Sequence, residues 1–451
     1  GNMCMFMGYD SQLTIVEPVL RSVHDRSPTT IHAHSGYYGA GICTVFFTFA
    51  SIVSPWALGL LGSKNTLLFG SLMFTLHIAS FQYVHFIPYY LTSATIGIGY
   101  AMFYSGHGAY ITEHSTRKTI ERNSALTWAL ATSCMIVGGV VIALTAQTPE
   151  ASGDILNATF VSNGTIPVES HRSFRQYTDI ELRLMYGAFL AVCFVANLIF
   201  AFIPTRCVTN SIAPSNKPER VGFVEQLKKI YDTFFDKRAL ELTPLFCLIG
   251  LSTGWWVSIY PASLVFTKAL SGNVYLPAMY LMVFGTGEIL MGTIISVASK
   301  HIKNFAQLPS LIIGALLFLT NMVLALLATP GPATHSPTDE SSILIEPSIP
   351  IALINALLLG MSDNSFNTSR TVICALVIPD HIAQVYSMSK FYQSLAESIL
   401  FFVAPFMSMS MYFGLITSTC LLSLVFYARV VIKLRAAERS IHNENSRKLT
   451  F

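Results

Sequence analysis

Apolar runs of about twenty residues, almost free of charge, dominate this sequence, and a helix of that length is what spans the hydrocarbon of a bilayer. Reading the runs between polar breaks gives twelve stretches: 1–20, 37–61, 65–85, 87–112, 124–147, 180–204, 240–266, 275–298, 306–328, 349–370, 382–406 and 409–432. Runs this long do not alternate with period two, so a membrane β-barrel is excluded. Composition agrees: charged residues make up 11% of the chain, against about 25% in soluble proteins. The expected fold class is an all-α membrane protein of twelve transmembrane helices in two six-helix halves. The chain opens on Gly1, without an initiator Met, a basic start or a small-residue cleavage site. No cleavable signal is read there, and the first helix is expected to be truncated.

Lys and Arg set the orientation. With the N-terminus in the cytoplasm, 20 of the 27 basic residues fall on the inner side, 6 on the outer side, and Lys390 lies inside a span. Both termini are therefore expected in the cytoplasm. The polar loop 148–179 then lies outside, and it carries two glycosylation sequons, at Asn157 and Asn163. Asn367-Thr-Ser369 is a third sequon, silent inside a span. The expected divisions are a first half over 1–204, an inner linker over 205–239, a second half over 240–433 and a cytoplasmic tail over 434–451. Within the linker, Val221, Phe223, Val224, Leu227, Ile230, Tyr231 and Phe234 recur at helical spacing and predict an amphipathic helix. A basic linker between two six-span halves is the layout of a parallel-repeat transporter. The outer stretch 329–348 is acidic and rich in Pro and Ser, which predicts a plain solvated linker.

All but one of the eight cysteines lie in apolar stretches, and Cys207 follows one directly. Neither a disulfide framework nor a CxxC zinc pair is read from them. No cofactor or metal is expected. There is no P-loop, no HExxH and no GxSxG, and the Gly285-Thr-Gly287 of span 8 follows no strand. An enzyme is not expected. The net charge of +3 sits in membrane-flanking loops, so nucleic acid is not an expected partner. The lipid bilayer is, and the basic tail reads as a topology anchor touching anionic lipid.

Ionisable residues inside spans are costly, and they mark function by default. The candidates are Asp10 and Glu17 in span 1, His107 ending span 4, Glu288 in span 8, Asp363 in span 10, and Lys390 and Glu397 in span 11. Spacing groups them. Asp10, Thr14 and Glu17 share a helix face, as do Asp363, Asn367 and Arg370, and Lys390, Ser394 and Glu397, with Gln393 beside the last set. Three polar stripes cannot all face lipid, so they are expected to face a common central cavity. Lys390 is expected to pair with Asp363 or Glu288. The plainer reading makes these residues structural, fixing helix register.

Several segments resemble a known family. They are Gly99-Tyr-Ala-Met-Phe-Tyr-Ser-Gly-His-Gly-Ala-Tyr-Ile-Thr112, Glu121-Arg-Asn-Ser-Ala-Leu-Thr-Trp-Ala129, Gly287-Glu-Ile-Leu-Met-Gly292, and Leu359-Gly360-Met-Ser-Asp363 running into Phe366-Asn367-Thr368. Together with Lys390-Phe-Tyr-Gln-Ser394 they resemble the uncoordinated-93 family, an ion-channel-regulator-like branch of the major facilitator superfamily. The resemblance implies the major facilitator fold, with twelve helices around a central cavity. Its members are variously potassium-channel subunits, trafficking chaperones for innate immune receptors, or presumed solute carriers. Two readings stay open: a carrier moving a small-molecule solute by alternating access, or a non-transporting partner of a channel or receptor in the plasma or endolysosomal membrane. The carrier motifs are reduced. The loop after span 2 reads Gly59-Leu-Leu-Gly62-Ser-Lys-Asn65, without the Asp and Arg of ordinary facilitators.

Overall fold

Each of the twelve apolar stretches is helical in a computed structural model, which describes residues 1–116, 120–146, 175–205, 222–302, 304–378 and 382–448. Among the described residues an isolated bridge from Thr267 to Thr338 is the nearest approach to a strand. The first stretch is two helices, α1 (Asn2–Leu13) and α2 (Val16–Arg26), broken at Thr14 and Ile15. Next come α3 (Ser35–Ser80), α4 (Phe86–Glu113), α5 (Ile120–Thr145) and α6 (Asp179–Phe202). The linker supplies α7 (Phe223–Phe234) and the short α8 (Lys237–Leu240). Then follow α9 (Thr243–Gly254), a π-helical turn at Trp255–Ile259, α10 (Tyr260–Phe266) and the short α11 (Lys268–Ser271). The chain ends with α12 (Leu276–His301), α13 (Leu308–Ala328), α14 (Ile349–Val377), α15 (Ile382–Val403) and α16 (Met409–Lys448). The sequons at Asn157 and Asn163 lie outside the described residues.

Among the described residues seven helical stretches are long and apolar enough to cross a membrane: Ser35–Ser80, Asp179–Phe202, Lys237–Phe266, Leu276–His301, Leu308–Ala328, Ile349–Val377 and Met409–Ala436. The helices that fall short are instructive. The break at Thr14 leaves α1 and α2 too short singly. Tyr, Thr, Ser and Gly dilute the apolarity of α4, and Lys390, Gln393 and Glu397 that of α15. Two of the three polar stripes lie on these helices, in the first stretch and on α15, and a helix with a polar stripe needs a protein or aqueous surface to face.

Spans 2 and 3 meet within α3. At Gly62 φ is +75° and ψ is 163°, a conformation open essentially to glycine. The chain reverses there: Ser54 Oγ meets Ser105 Oγ of α4 at 2.6 Å, and past the turn Leu67 lies against Gly106 and Gly70 against Gly99 of the same helix. Several hydroxyls of α3 also bond within the helix. Thr44, Thr48 and Ser51 each donate to the carbonyl four residues earlier, a bond open to Ser and Thr inside a helix. An aromatic core ties α1 to α3 and α4: the Phe6 ring stands edge-on to Phe103 at 5.1 Å and to Phe74 at 6.1 Å, arrangements each worth about 0.5–1.5 kcal/mol beyond burial.

One loop expectation changes. The stretch 329–348 is not a plain solvated linker. It forms a 3-10 turn at Gly331–Thr334 whose Ala333 and Thr334 are fully buried. The Pro330 and Pro332 carbonyls accept from backbone N–H groups inside the turn, and the Thr334 carbonyl accepts the Tyr37 hydroxyl at 2.7 Å. The tail, expected from 434 onward, continues α16 as helix to Lys448. In the linker Asp236 caps α8, accepting from the Arg238 N–H at 2.8 Å. Hydrogen bonding to the Arg238 side chain holds the Asp236 carboxyl below its ordinary pKa.

Candidate functional site

Close helix crossings assemble the middle of the bundle. A side chain at Gly360 of α14 would strike the Phe284 carbonyl of α12 at 2.1 Å, and one at Gly287 of α12 would strike the Leu357 carbonyl of α14 at 2.5 Å. Glycine at both points lets the two backbones touch. One turn beyond Gly360, Asp363 then meets Glu288. The two carboxyl groups are close neighbours. Asp363 also accepts from Trp256 Nε1 at 3.0 Å and from Asn367 Nδ2 at 2.9 Å. The π-helical turn at 255–259 carries Trp256 into this position, and the Tyr280 hydroxyl donates to its carbonyl at 2.7 Å. Such turns recur at functional sites.

The relay continues along α14. Arg370 Nη2 donates to Asn367 Oδ1 at 2.7 Å, and Nη1 donates to Gln393 Oε1 of α15. Asn367 thus joins Arg370 to Asp363, its amide giving to the acid and accepting from the base. Lys390 Nζ donates to the same Gln393 oxygen at 3.3 Å and lies 4.5 Å from the centroid of the Tyr104 ring of α4. Arg370 and Lys390 are buried, at 3% and 8% exposure. The expected direct ion pair of Lys390 with Asp363 or Glu288 is not formed; the amide of Gln393, three residues along the same helix, takes its place. Arg370, counted from sequence as an inner-side charge, is inside the bundle. Asp10 accepts from the Tyr100 hydroxyl at 2.9 Å and stands within electrostatic reach of Glu288 and Glu397. Glu397 is buried beside Gly254.

Seven of the nine sequence candidates therefore gather at mid-bundle: Asp10, Glu288, Asp363, Asn367, Lys390, Gln393 and Glu397. Two lie elsewhere. His107 stacks on Phe103 at 5.4 Å and lines a separate cavity of about 600 Å³ with Leu67, Tyr110, His114 and Phe200. Glu17 sits at one end of the bundle, fully buried, where it contacts His34 Nδ1 at 3.2 Å and accepts from the Tyr37 N–H at 3.2 Å. Sequence reading missed Tyr100, Tyr104 and Trp256. The first two stand at i and i+4 on the polar face of α4, and that spacing was the available signal.

Among the described residues, the side-chain hydrogen bonds between residues before the linker and residues after it lie at the middle and at the His34 end. They are Thr48 Oγ1 to Ser394 Oγ at 2.8 Å, Ser398 Oγ to the Gly41 carbonyl at 3.3 Å, Tyr37 to Thr334, and Arg175 Nη1 to the Val274 carbonyl at 2.6 Å. Arg175 also pairs with Glu181 at 2.7 Å, both side chains 7% exposed.

This is the fold of a multi-pass helical membrane protein of the transporter-like, major facilitator type. The peptide transporter POT in complex with sulfate superposes with a TM-score of 0.65 at 11% identity, over 96% of this chain and 94% of that one. The major facilitator transporter FucP in its outward conformation superposes at 0.52 with 13% identity, over 96% and 97%. The chain belongs to the UNC-93 family: the model for the ion channel regulatory protein UNC-93 matches residues 27–428. Among its relatives, the UNC93-like protein MFSD11 of Xenopus laevis is 24% identical over 428 residues, 90% of this chain and 88% of that protein. UNC93-like protein 3 of Arabidopsis thaliana is 23% identical over 401 residues, 84% and 76%. Family and fold are those of transporters or regulators, not of enzymes.

Proposed function

We propose that this protein carries a small solute across the membrane by alternating access, with the solute held between α1, α4, α14 and α15. The observation that carries the reading is Lys390: a buried ammonium from one side of the chain lies on the Tyr104 ring of the other side, beside Asp10, Glu397 and Arg370. Burying an ion costs several kcal/mol, and apolar residues of the same size would hold two helices together more cheaply. Twelve spans divide six and six about the linker, both termini face the cytoplasm, and Asn157 and Asn163 carry glycans outside. The His34 end is then the outer end. Its hydrogen bonds from Tyr37, Ser398 and Arg175 support the reading of a carrier closed to the outside. The missing Asp and Arg after span 2 favour facilitated exchange over coupling to protons.

Purified protein in liposomes, preloaded with a mixed metabolite extract, is expected to exchange at least one labelled solute faster than empty liposomes. Folded protein that exchanges nothing, while native membranes yield one dominant channel or receptor bound to it, would establish the regulatory reading instead.

A further inference from the structure

The two central cations are held unequally. Asp363 offsets Arg370 through the Asn367 amide. Lys390 has three protons to donate, and its partners are one amide oxygen and one aromatic face. That amide oxygen, Gln393 Oε1, is itself shared with Arg370. Arg370 Nε is buried without an acceptor. Two cations therefore converge on one neutral oxygen, with a further guanidinium donor unused. The charged groups facing Lys390 are Arg370, Glu397 and Asp363, and none of the carboxylates lies within ion-pair distance of it among the described residues. The backbone at Gln393 is fixed, because α9 presses against it at Gly250, where a side chain would strike the Gln393 carbonyl at 2.1 Å.

We propose that Arg370 and Lys390 form the binding site for an oxyanion, the carboxylate or phosphate group of the carried solute, which displaces the Gln393 amide oxygen from between them. Arginine offers a planar fork of donors and lysine a movable point charge, and a two-oxygen anion satisfies both together. Gln393 is the resting acceptor, holding the cations apart from Glu397 until the anion arrives. The proposal deepens the carrier reading and rests on it for the word solute. Binding is measured without transport, so the two readings fail separately.

The experiment is thermal unfolding of the full chain in neutral phosphatidylcholine nanodiscs at constant ionic strength. Succinate and inorganic phosphate are the two oxyanion probes, and glucose and choline are the controls. At least one oxyanion is expected to raise Tm saturably, and which one does so separates carboxylate from phosphate. Lys390→Met is expected to weaken that binding by roughly 10–100-fold, the value of a charge-assisted hydrogen bond, and Lys390→Arg to retain it. Lys390→Met removes a buried unpaired charge, so its ligand-free Tm should equal or exceed that of the wild type. A Tm rise with choline or glucose equal to that with the oxyanions, no rise with either oxyanion, or full oxyanion affinity in a folded Lys390→Met protein would each overturn the proposal.

Discussion

Arg370→Leu is expected to destabilise the folded protein by about 3–5 kcal/mol, the range for removing one partner from a buried charge network. The reason lies in what it leaves behind. Asp363 loses the cation that Asn367 relays to it, while Trp256 and Asn367 continue to hold it in place. Arg370→Lys should recover only part of the loss, because an ammonium cannot reach Asn367 and Gln393 with a planar fork. The double variant Arg370→Leu with Asp363→Leu removes both charges and should be more stable than Arg370→Leu alone. Thermal unfolding in detergent, with ligand absent, measures all three. A single variant as stable as the wild type would show that the relay carries no weight.

Gly360→Val is expected to cost ~3 kcal/mol by overpacking. The added carbons meet backbone, the Phe284 carbonyl, so no side chain can rotate out of the way. Separation of α12 from α14 would also part Glu288 from Asp363, so the same change should disturb the site. Gly414→Val is the matched control. It lies in a helix with open space around its α-carbon, and its stability should stay within about 0.5 kcal/mol of the wild type. Equal stability of the two variants would contradict the close crossing.

Much of the fold was legible because a bilayer asks one simple thing of a sequence, a long apolar run. The runs located the long helices, and the break read between 61 and 65 is the turn that the positive φ of Gly62 makes. The site was legible along each helix and opaque between helices. Asp363, Asn367 and Arg370 at i, i+4 and i+7 are the relay that forms, since spacing fixes which side chains share a face. The partner of Lys390 depended on how α15 is rotated against α4 and α14, and spacing along one helix says nothing about that. Tyr104 and Trp256 were hidden for a different reason: aromatic residues in spans are ordinarily packing and interface anchors. The Thr334 carbonyl that anchors Tyr37 is a backbone group, and loop composition does not reveal it.

Alternating access is tested most directly by the distance between the two halves at the His34 end. Tyr83 and Ile343 are exposed, 73% and 67%, in loops on either side of the linker. Spin labels at Tyr83→Cys and Ile343→Cys, read by double electron–electron resonance in nanodiscs, should give one short distance in the resting protein. Tyr37→Phe deletes the hydroxyl bonded to Thr334 and should weaken the closure at the His34 end by about 1 kcal/mol, which adds a second, longer distance population. A single unchanged distance in the wild type, in Tyr37→Phe and with a bound oxyanion would contradict alternating access and describe a rigid membrane partner.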